Sequence, residues 1–115
     1  FLENVSMQEL SAIYQLAEIF VYPSFFEGFG IPVIEALFSK TAVITSNLSC
    51  LPEAGGENSV YINPYNFEDL KAKILFLWNN ESERNRRAEK SFEFVQKFND
   101  EKIANDLMNV YRNVL

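Results

Sequence analysis

Residues 27 to 35 read EGFGIPVIE, two carboxylates around a glycine pair and a proline. The apolar run Ile19 to Tyr22 comes before them and stops at Pro23. Pro32 suits the first position of a helix, where its missing N–H costs nothing. The amides of Val33, Ile34 and Glu35 would then be unpaired donors at a positive helix end. Gly28 and Gly30 permit positive φ and close approach of a ligand to the backbone. A strand, a glycine turn and a helix start together form an anion site, most naturally for phosphate. In open α/β sheets such a site lies at the carboxyl ends of the strands. Glu27 precedes the helix, beside that site. Glu35 lies about one turn in, outside the apolar arc of Val33, Ile34, Leu37 and Phe38. A carboxylate repels phosphate but accepts hydrogen bonds from hydroxyls. A phosphate flanked by hydroxyl-bearing groups satisfies both demands, and a nucleotide sugar is such a ligand.

The spacing alone is cheap. Glu81/Glu89 and Glu93/Glu101 repeat it in segments that read as solvated helix faces. The glycine turn between a strand and a helix sets the first pair apart. Ser24 either bonds a ligand phosphate or serves as a turn hydroxyl. Thr45, Ser46 and Asn47 end a strand and suit capping and turn duties. Glu53 and Gly55-Gly56 lie in a loop and read as structural. Cys50 reads as an inert small residue.

The elements that must position these residues follow from punctuation and periodicity. Ser6-Met7-Gln8-Glu9 is a capping box. Leu10, Ile13, Tyr14 and Ala17 follow as a helical stripe. Ile19–Tyr22, Ala42–Thr45 and Ser59–Asn63 read as strands, the first a buried strand of a parallel sheet. A helix is expected from about Pro32 to Ser39, and a loop carries Pro52 and the two later glycines. Phe67, Leu70, Ile74 and Leu77 mark another helix. Glu81 to about Lys97 is a charged one, and Asn99 or Asp100 caps a last one bearing Ile103, Leu107, Val110, Tyr111 and Val114. This alternation predicts an α/β fold, a Rossmann-like parallel sheet with flanking helices. Three strands make a thin sheet, so residues 1–115 read as one partial domain, half of a doubly wound unit.

Composition narrows the classes. The chain has 115 residues, a net charge of −6, one cysteine and no histidine. An acidic chain is a poor partner for nucleic acid, which needs a clustered basic surface. A lone cysteine forms no internal disulfide and fits a reducing compartment. Without histidine there is no His base and no His metal ligand. No apolar run approaches the roughly 20 residues of a membrane span.

The runs YPSFFEGFGIPVIEAL and AVITSNLSCLPEAGGENSVYINP resemble the nucleotide-sugar-binding domain of retaining glycosyltransferases of the GT-B fold, family four, the glycosyl transferases group 1. The resemblance extends from QELSAIYQLAEIFVYPS to IANDLMNVYRNVL. Glu27 and Glu35 match that family's Glu-x7-Glu motif. It implies that Glu27 contacts the donor sugar as the catalytic carboxylate and that Glu35 contacts the ribose hydroxyls. Gly28, Phe29, Gly30 and Ile31, with Ser24 nearby, would face the diphosphate. Phe38-Ser39-Lys40-Thr41-Ala42 departs from the family's usual small residue and glycine. The family's diphosphate-neutralising Arg and Lys have no match here, and its acceptor-binding domain has none either.

The resemblance implies the donor-binding, C-terminal part of an enzyme that transfers sugar from a nucleotide sugar to a glycan or lipid-linked acceptor. It implies no metal or other cofactor and a cytoplasmic location, with the full-length enzyme at the inner face of the membrane. A non-catalytic interaction module with a vestigial cleft is the first alternative, and a GT-B-like nucleotide-sugar epimerase the second. The uncharged strand Ile19–Tyr22 would stand at a sheet edge, so the chain by itself is expected to self-associate.

Overall fold

A computed structural model describes residues 2–99 and residue 112. The expected helix after Asn99 or Asp100 lies outside the described residues. Helix α1 (Met7–Leu16) opens with both halves of the capping box in place. The Ser6 side chain accepts from the Glu9 amide at 3.1 Å, and the Glu9 carboxylate accepts from the Ser6 amide at 3.0 Å. Strand β1 (Ile19–Tyr22), helix α2 (Ile31–Phe38) and strand β2 (Ala42–Ser46) follow. Next come a short helix α3 (Leu51–Gly55), strand β3 (Val60–Ile62), and helices α4 (Phe67–Trp78) and α5 (Glu81–Val95). A 3-10 turn, Gln96–Asn99, ends the described run.

Several boundaries differ from the sequence reading: β2 runs one residue further, to Ser46, and β3 is shorter by one residue at each end. Helix α2 starts one residue earlier than expected, capped by Gly30 in the left-handed region at φ 70°. Helix α3 occupies what reads as a loop, because Pro52 stands in its first turn and Gly56 closes it at φ 70°. Helix α5 gives way to the 3-10 turn at Gln96 instead of running to Lys97.

The sheet is parallel in the order β1-β2-β3, with Tyr22 level with Thr45 and Ser46 level with Ile62. Its two faces are both covered, and strand alternation divides the side chains between them. Phe20, Tyr22 and Val43 face the larger core, with Tyr14, Val33, Ile34, Leu37, Leu51 and Val95. Ile19, Val21, Ala42, Ile44, Val60 and Ile62 face α4 through Leu70, Ile74 and Leu77. Helix α2 is apolar on nearly every side, burying Ile31, Val33, Ile34, Ala36 and Leu37. Helix α1 buries Tyr14 alone, leaving Leu16, Met7 and Ile13 exposed.

Arg84 ties the sheet's lower end together. Its guanidinium donates to the carbonyls of Leu77 and Trp78, the last turn of α4, and pairs with Glu18 before β1 at 3.2 Å. Gly56 is fixed by crowding: a Cβ there would stand 2.7 Å from the Phe94 ring. A Cβ on Gly55 would meet the Tyr61 hydroxyl at 2.6 Å. Both glycines thus have the structural role expected of them. The parallel register sets the loops after β1, β2 and β3 at one end of the sheet, the end that receives the EGFG turn.

Candidate functional site

The turn from Pro23 to Gly30 is held from within and from the neighbouring loop. The Ser24 hydroxyl donates to the Phe26 carbonyl at 3.0 Å and to Glu27 at 3.2 Å. Ser24 is therefore a turn hydroxyl, bonded to the carboxylate that follows it. The Glu27 carbonyl accepts from the Ser49 hydroxyl at 2.8 Å and the Cys50 thiol at 3.2 Å. Burial pushes the Cys50 thiol up, which keeps it protonated and an available donor. The two strand-end hydroxyls lock the same end. Thr45 donates to the Tyr22 carbonyl at 2.8 Å, and Ser46 accepts from the Leu48 amide at 3.0 Å.

The two glycines of the turn differ. Gly30 takes φ 70° and is packed so closely that a Cβ would meet Leu51 and Ala54. Gly28 does not use the positive φ that glycine permits, and a Cβ there would meet nothing within 4 Å. Among the described residues, no packing demand explains a glycine at position 28.

The donor set at the helix start also needs correcting. The amides of Val33 and Ile34 are not free: both bond the Gly30 carbonyl, at 3.0 and 3.2 Å. With Gly30 as N-cap, the open donors move one step toward the turn. Among the described residues no acceptor is bonded to the amides of Gly28, Phe29, Gly30 or Ile31. Gly28 and Phe29 are exposed at the positive end of α2, and Gly30 and Ile31 lie buried behind them.

The two carboxylates flank that end. Glu27, half-buried, accepts from the Tyr22 hydroxyl at 2.5 Å. Glu35, also half-buried, accepts from the Tyr14 hydroxyl at 3.0 Å. Burial raises the Glu35 carboxyl above the ordinary carboxylate range, and the Tyr14 hydrogen bond partly opposes it. Glu35 lines a cavity of about 200 Å³ between α1 and α2, with Met7, Leu10, Tyr14 and Phe38 as its other main walls. One carboxylate thus stands at an open turn and the other at a largely apolar hollow.

A family model described as glycosyl transferases group 1 matches residues 1–94. The chain belongs to that family. It is 31% identical over 112 residues to the O-antigen chain mannosyltransferase B of Escherichia coli, covering 97% of this chain and 29% of that protein. It is 30% identical over 117 residues to the D-inositol 3-phosphate glycosyltransferase of Corynebacterium aurimucosum, covering 100% of this chain and 28% of that protein. Among solved structures, it superposes on a sucrose-phosphate synthase from Thermosynechococcus elongatus with a TM-score of 0.85 and 27% identity. That match covers 99% of this chain and 29% of the other. The chain therefore spans under a third of the length of each of these three relatives.

This glycosyl transferase group 1 chain brings its Glu-x7-Glu carboxylates to the turn and the helix that the sequence assigns them. Tyr14 and Tyr22 were missed as site residues and read as members of apolar runs. The available signal was the phenol itself: a tyrosine in a core stripe needs a polar partner for its hydroxyl. The loops 23–30, 47–50 and 63–66 carry no Lys or Arg. The described residues hold no cluster of three or more His, Cys, Asp and Glu fit for a metal. No helix among them is long and apolar enough to cross a membrane.

Proposed function

We propose that this chain is the donor-binding part of a retaining glycosyltransferase. The observation that carries the reading is the set of four amides, Gly28 to Ile31, that bond no acceptor among the described residues, set between two carboxylates that each keep one oxygen unbonded among those residues. A run of unbonded N–H groups at a helix start suits a diphosphate. Glu35 then accepts from the ribose hydroxyls and Glu27 from the hydroxyls of the transferred sugar. An exposed Gly28 with no internal reason to lack a side chain fits close passage of the diphosphate over the backbone.

The chemistry proposed is substitution at the anomeric carbon with retention. The bond from that carbon to the diphosphate oxygen breaks, and its electron pair leaves with the diphosphate. An acceptor hydroxyl oxygen bonds to the same face of the carbon, and its proton passes to the departing phosphate oxygen. The amides stabilise that growing negative charge as hydrogen-bond donors already in position. Glu27 stabilises the positive charge developing at the sugar ring. The remaining charge on the diphosphate calls for cations from outside loops 23–30, 47–50 and 63–66, and no metal is assigned to the step. The acceptor is a glycan or a lipid-linked glycan, met in the cytoplasm at the inner face of the membrane. This part of the protein transfers nothing by itself.

The test is transfer from labelled nucleotide sugars to a lipid-linked glycan acceptor by the full-length protein. Incorporation with the anomeric configuration kept supports the reading. Transfer with inversion, or sugar turnover by residues 1–115 alone, contradicts it.

A further inference from the structure

Each motif carboxylate accepts from a phenol, and Glu27 also accepts from the Ser24 hydroxyl at 3.2 Å on the same oxygen. Tyr14 donates to Oε2 of Glu35, and Tyr22 donates to Oε1 of Glu27. The phenols share a single column of rings. Tyr14 meets Phe20 edge-on at 5.2 Å between centroids, and Phe20 stacks on Tyr22 at 5.8 Å. The column is fixed at both ends by buried hydroxyls on the backbone. Thr41 donates to the Tyr14 carbonyl at 2.5 Å and Thr45 to the Tyr22 carbonyl at 2.8 Å. Strand alternation puts Phe20 and Tyr22 on the face that α1 and α2 cover, which is why one column reaches both carboxylates.

Each phenol occupies one carboxylate oxygen. Among the described residues, Oε1 of Glu35 and Oε2 of Glu27 have no hydrogen-bond partner. We propose that Tyr14 and Tyr22 are positioning residues, Tyr14 aiming Glu35 at the ribose and Tyr22 aiming Glu27 at the transferred sugar, with Phe20 setting the distance between them. The inference rests on the donor-site reading above. A glutamate has three rotatable side-chain bonds, and holding it in its bound rotamer beforehand spares that ordering cost on binding. A phenol is suited to the task because it is a neutral donor. It fixes the carboxylate without cancelling the charge that makes it a strong acceptor for sugar hydroxyls.

The two tyrosines should be separable by ligand. Tyr14→Phe and Tyr22→Phe keep the rings and remove only the hydroxyls. The measurement is calorimetric titration of the full-length protein with GDP and GDP-mannose, and with UDP and UDP-glucose, using the pair the wild type binds. Tyr14→Phe is expected to weaken the nucleoside diphosphate and the nucleotide sugar by one common factor, about three- to tenfold, the worth of one hydrogen bond. Tyr22→Phe is expected to weaken the nucleotide sugar alone, by a similar factor.

A pH profile adds a readout that packing would not move. Burial and the Tyr14 hydroxyl are the two influences on Glu35, and the cavity walls bring no other ionisable side chain. Without the hydroxyl, Glu35 protonates at higher pH, so Tyr14→Phe should lose nucleotide earlier on acidification.

Wild-type affinity in either Phe variant overturns the proposal, as does equal weakening of both ligands by both variants. Should Tyr14→Phe not fold, Tyr22→Phe decides, since a general packing defect would weaken both ligands. Glu35→Gln separates this inference from the reading beneath it. Its binding the nucleoside diphosphate as the wild type does, or no binding of either pair by the wild type, contradicts the donor site itself. Weak binding by Glu35→Gln with unchanged Tyr14→Phe contradicts only the positioning role.

Discussion

Gly30 lies against Leu51 so closely that a methyl group added at Gly30 would stand 3.0 Å from Leu51 Cδ2. That contact, with the φ of 70° at Gly30, pins the start of α2 to the start of α3. The turn's shape is therefore set by packing behind it, with Gly28 and Phe29 as its exposed part.

The glycine pair should separate stability from binding. Gly30→Ala is expected to destabilise the protein by about 1–3 kcal/mol, through strain at positive φ and overpacking against Leu51. Gly28→Ala is expected to change stability by less than about 0.5 kcal/mol, because the added carbon meets nothing. It should nonetheless weaken nucleoside diphosphate binding by about tenfold, since the added carbon would lie in the ligand's path. Denaturant unfolding and calorimetry on the two variants check this. Wild-type affinity in Gly28→Ala would argue that the turn touches no ligand.

Glu35 should trade stability for binding. Its folded-state pKa lies above the unfolded one, because burial disfavours the charged form. Stability is therefore highest below the unfolded value and falls as pH rises through the folded one. Glu35→Gln keeps an acceptor for Tyr14 and removes the buried charge. Its melting temperature is expected to match or exceed that of the wild type at neutral pH, with the gap closing below the ordinary carboxylate range. Nucleoside diphosphate binding should weaken by about 1–3 kcal/mol, the worth of a hydrogen bond to a charged group. A melting temperature clearly below wild type at neutral pH would contradict the burial penalty.

Glu27 is expected to act mainly as charge develops. In the full-length protein, Glu27→Ala should lower kcat by at least about tenfold, or 1.4 kcal/mol of barrier, with a smaller rise in KM for the donor. Steady-state kinetics with varied donor measures both. A pure KM effect would reassign Glu27 to ground-state binding.

Strand β1 stands at the edge of the sheet order β1-β2-β3. Its four residues, Ile19–Tyr22, carry no charge, and the neighbouring α1 exposes Leu16 and Met7. The 115-residue chain alone is expected to self-associate at tens of micromolar through this edge. Sedimentation across a dilution series measures it, with dissociation expected only below that range. A soluble monomer with rapid amide exchange along β1 would contradict the expectation.

The capped helix, the three strands and the carboxylate-flanked glycine turn were legible because each has a local signature. Ser6 with Glu9, Pro23 after an apolar run and Pro32 after two glycines all act within a few residues. The partners of the carboxylates were not legible, because Tyr14 and Glu35 lie 21 residues apart and meet only through helix packing. The different roles of Gly28 and Gly30 were hidden for a related reason. The two are alike in sequence, and only contact with α3 decides which one must take the left-handed conformation. Helix α3 was read as a loop because its five residues are too few to display a period.

The proposed donor site depends on four backbone amides at the start of α2 holding a diphosphate. A 15N-labelled titration with GDP or UDP tests it at the atoms concerned. The amide resonances of Gly28, Phe29, Gly30 and Ile31 are expected to move most and downfield, as N–H groups do on meeting an anionic oxygen. Resonances at the far end of the sheet, near Gly56 and Arg84, should stay in place. Shifts centred away from the turn, or saturable binding that leaves those four amides unmoved, would contradict the account.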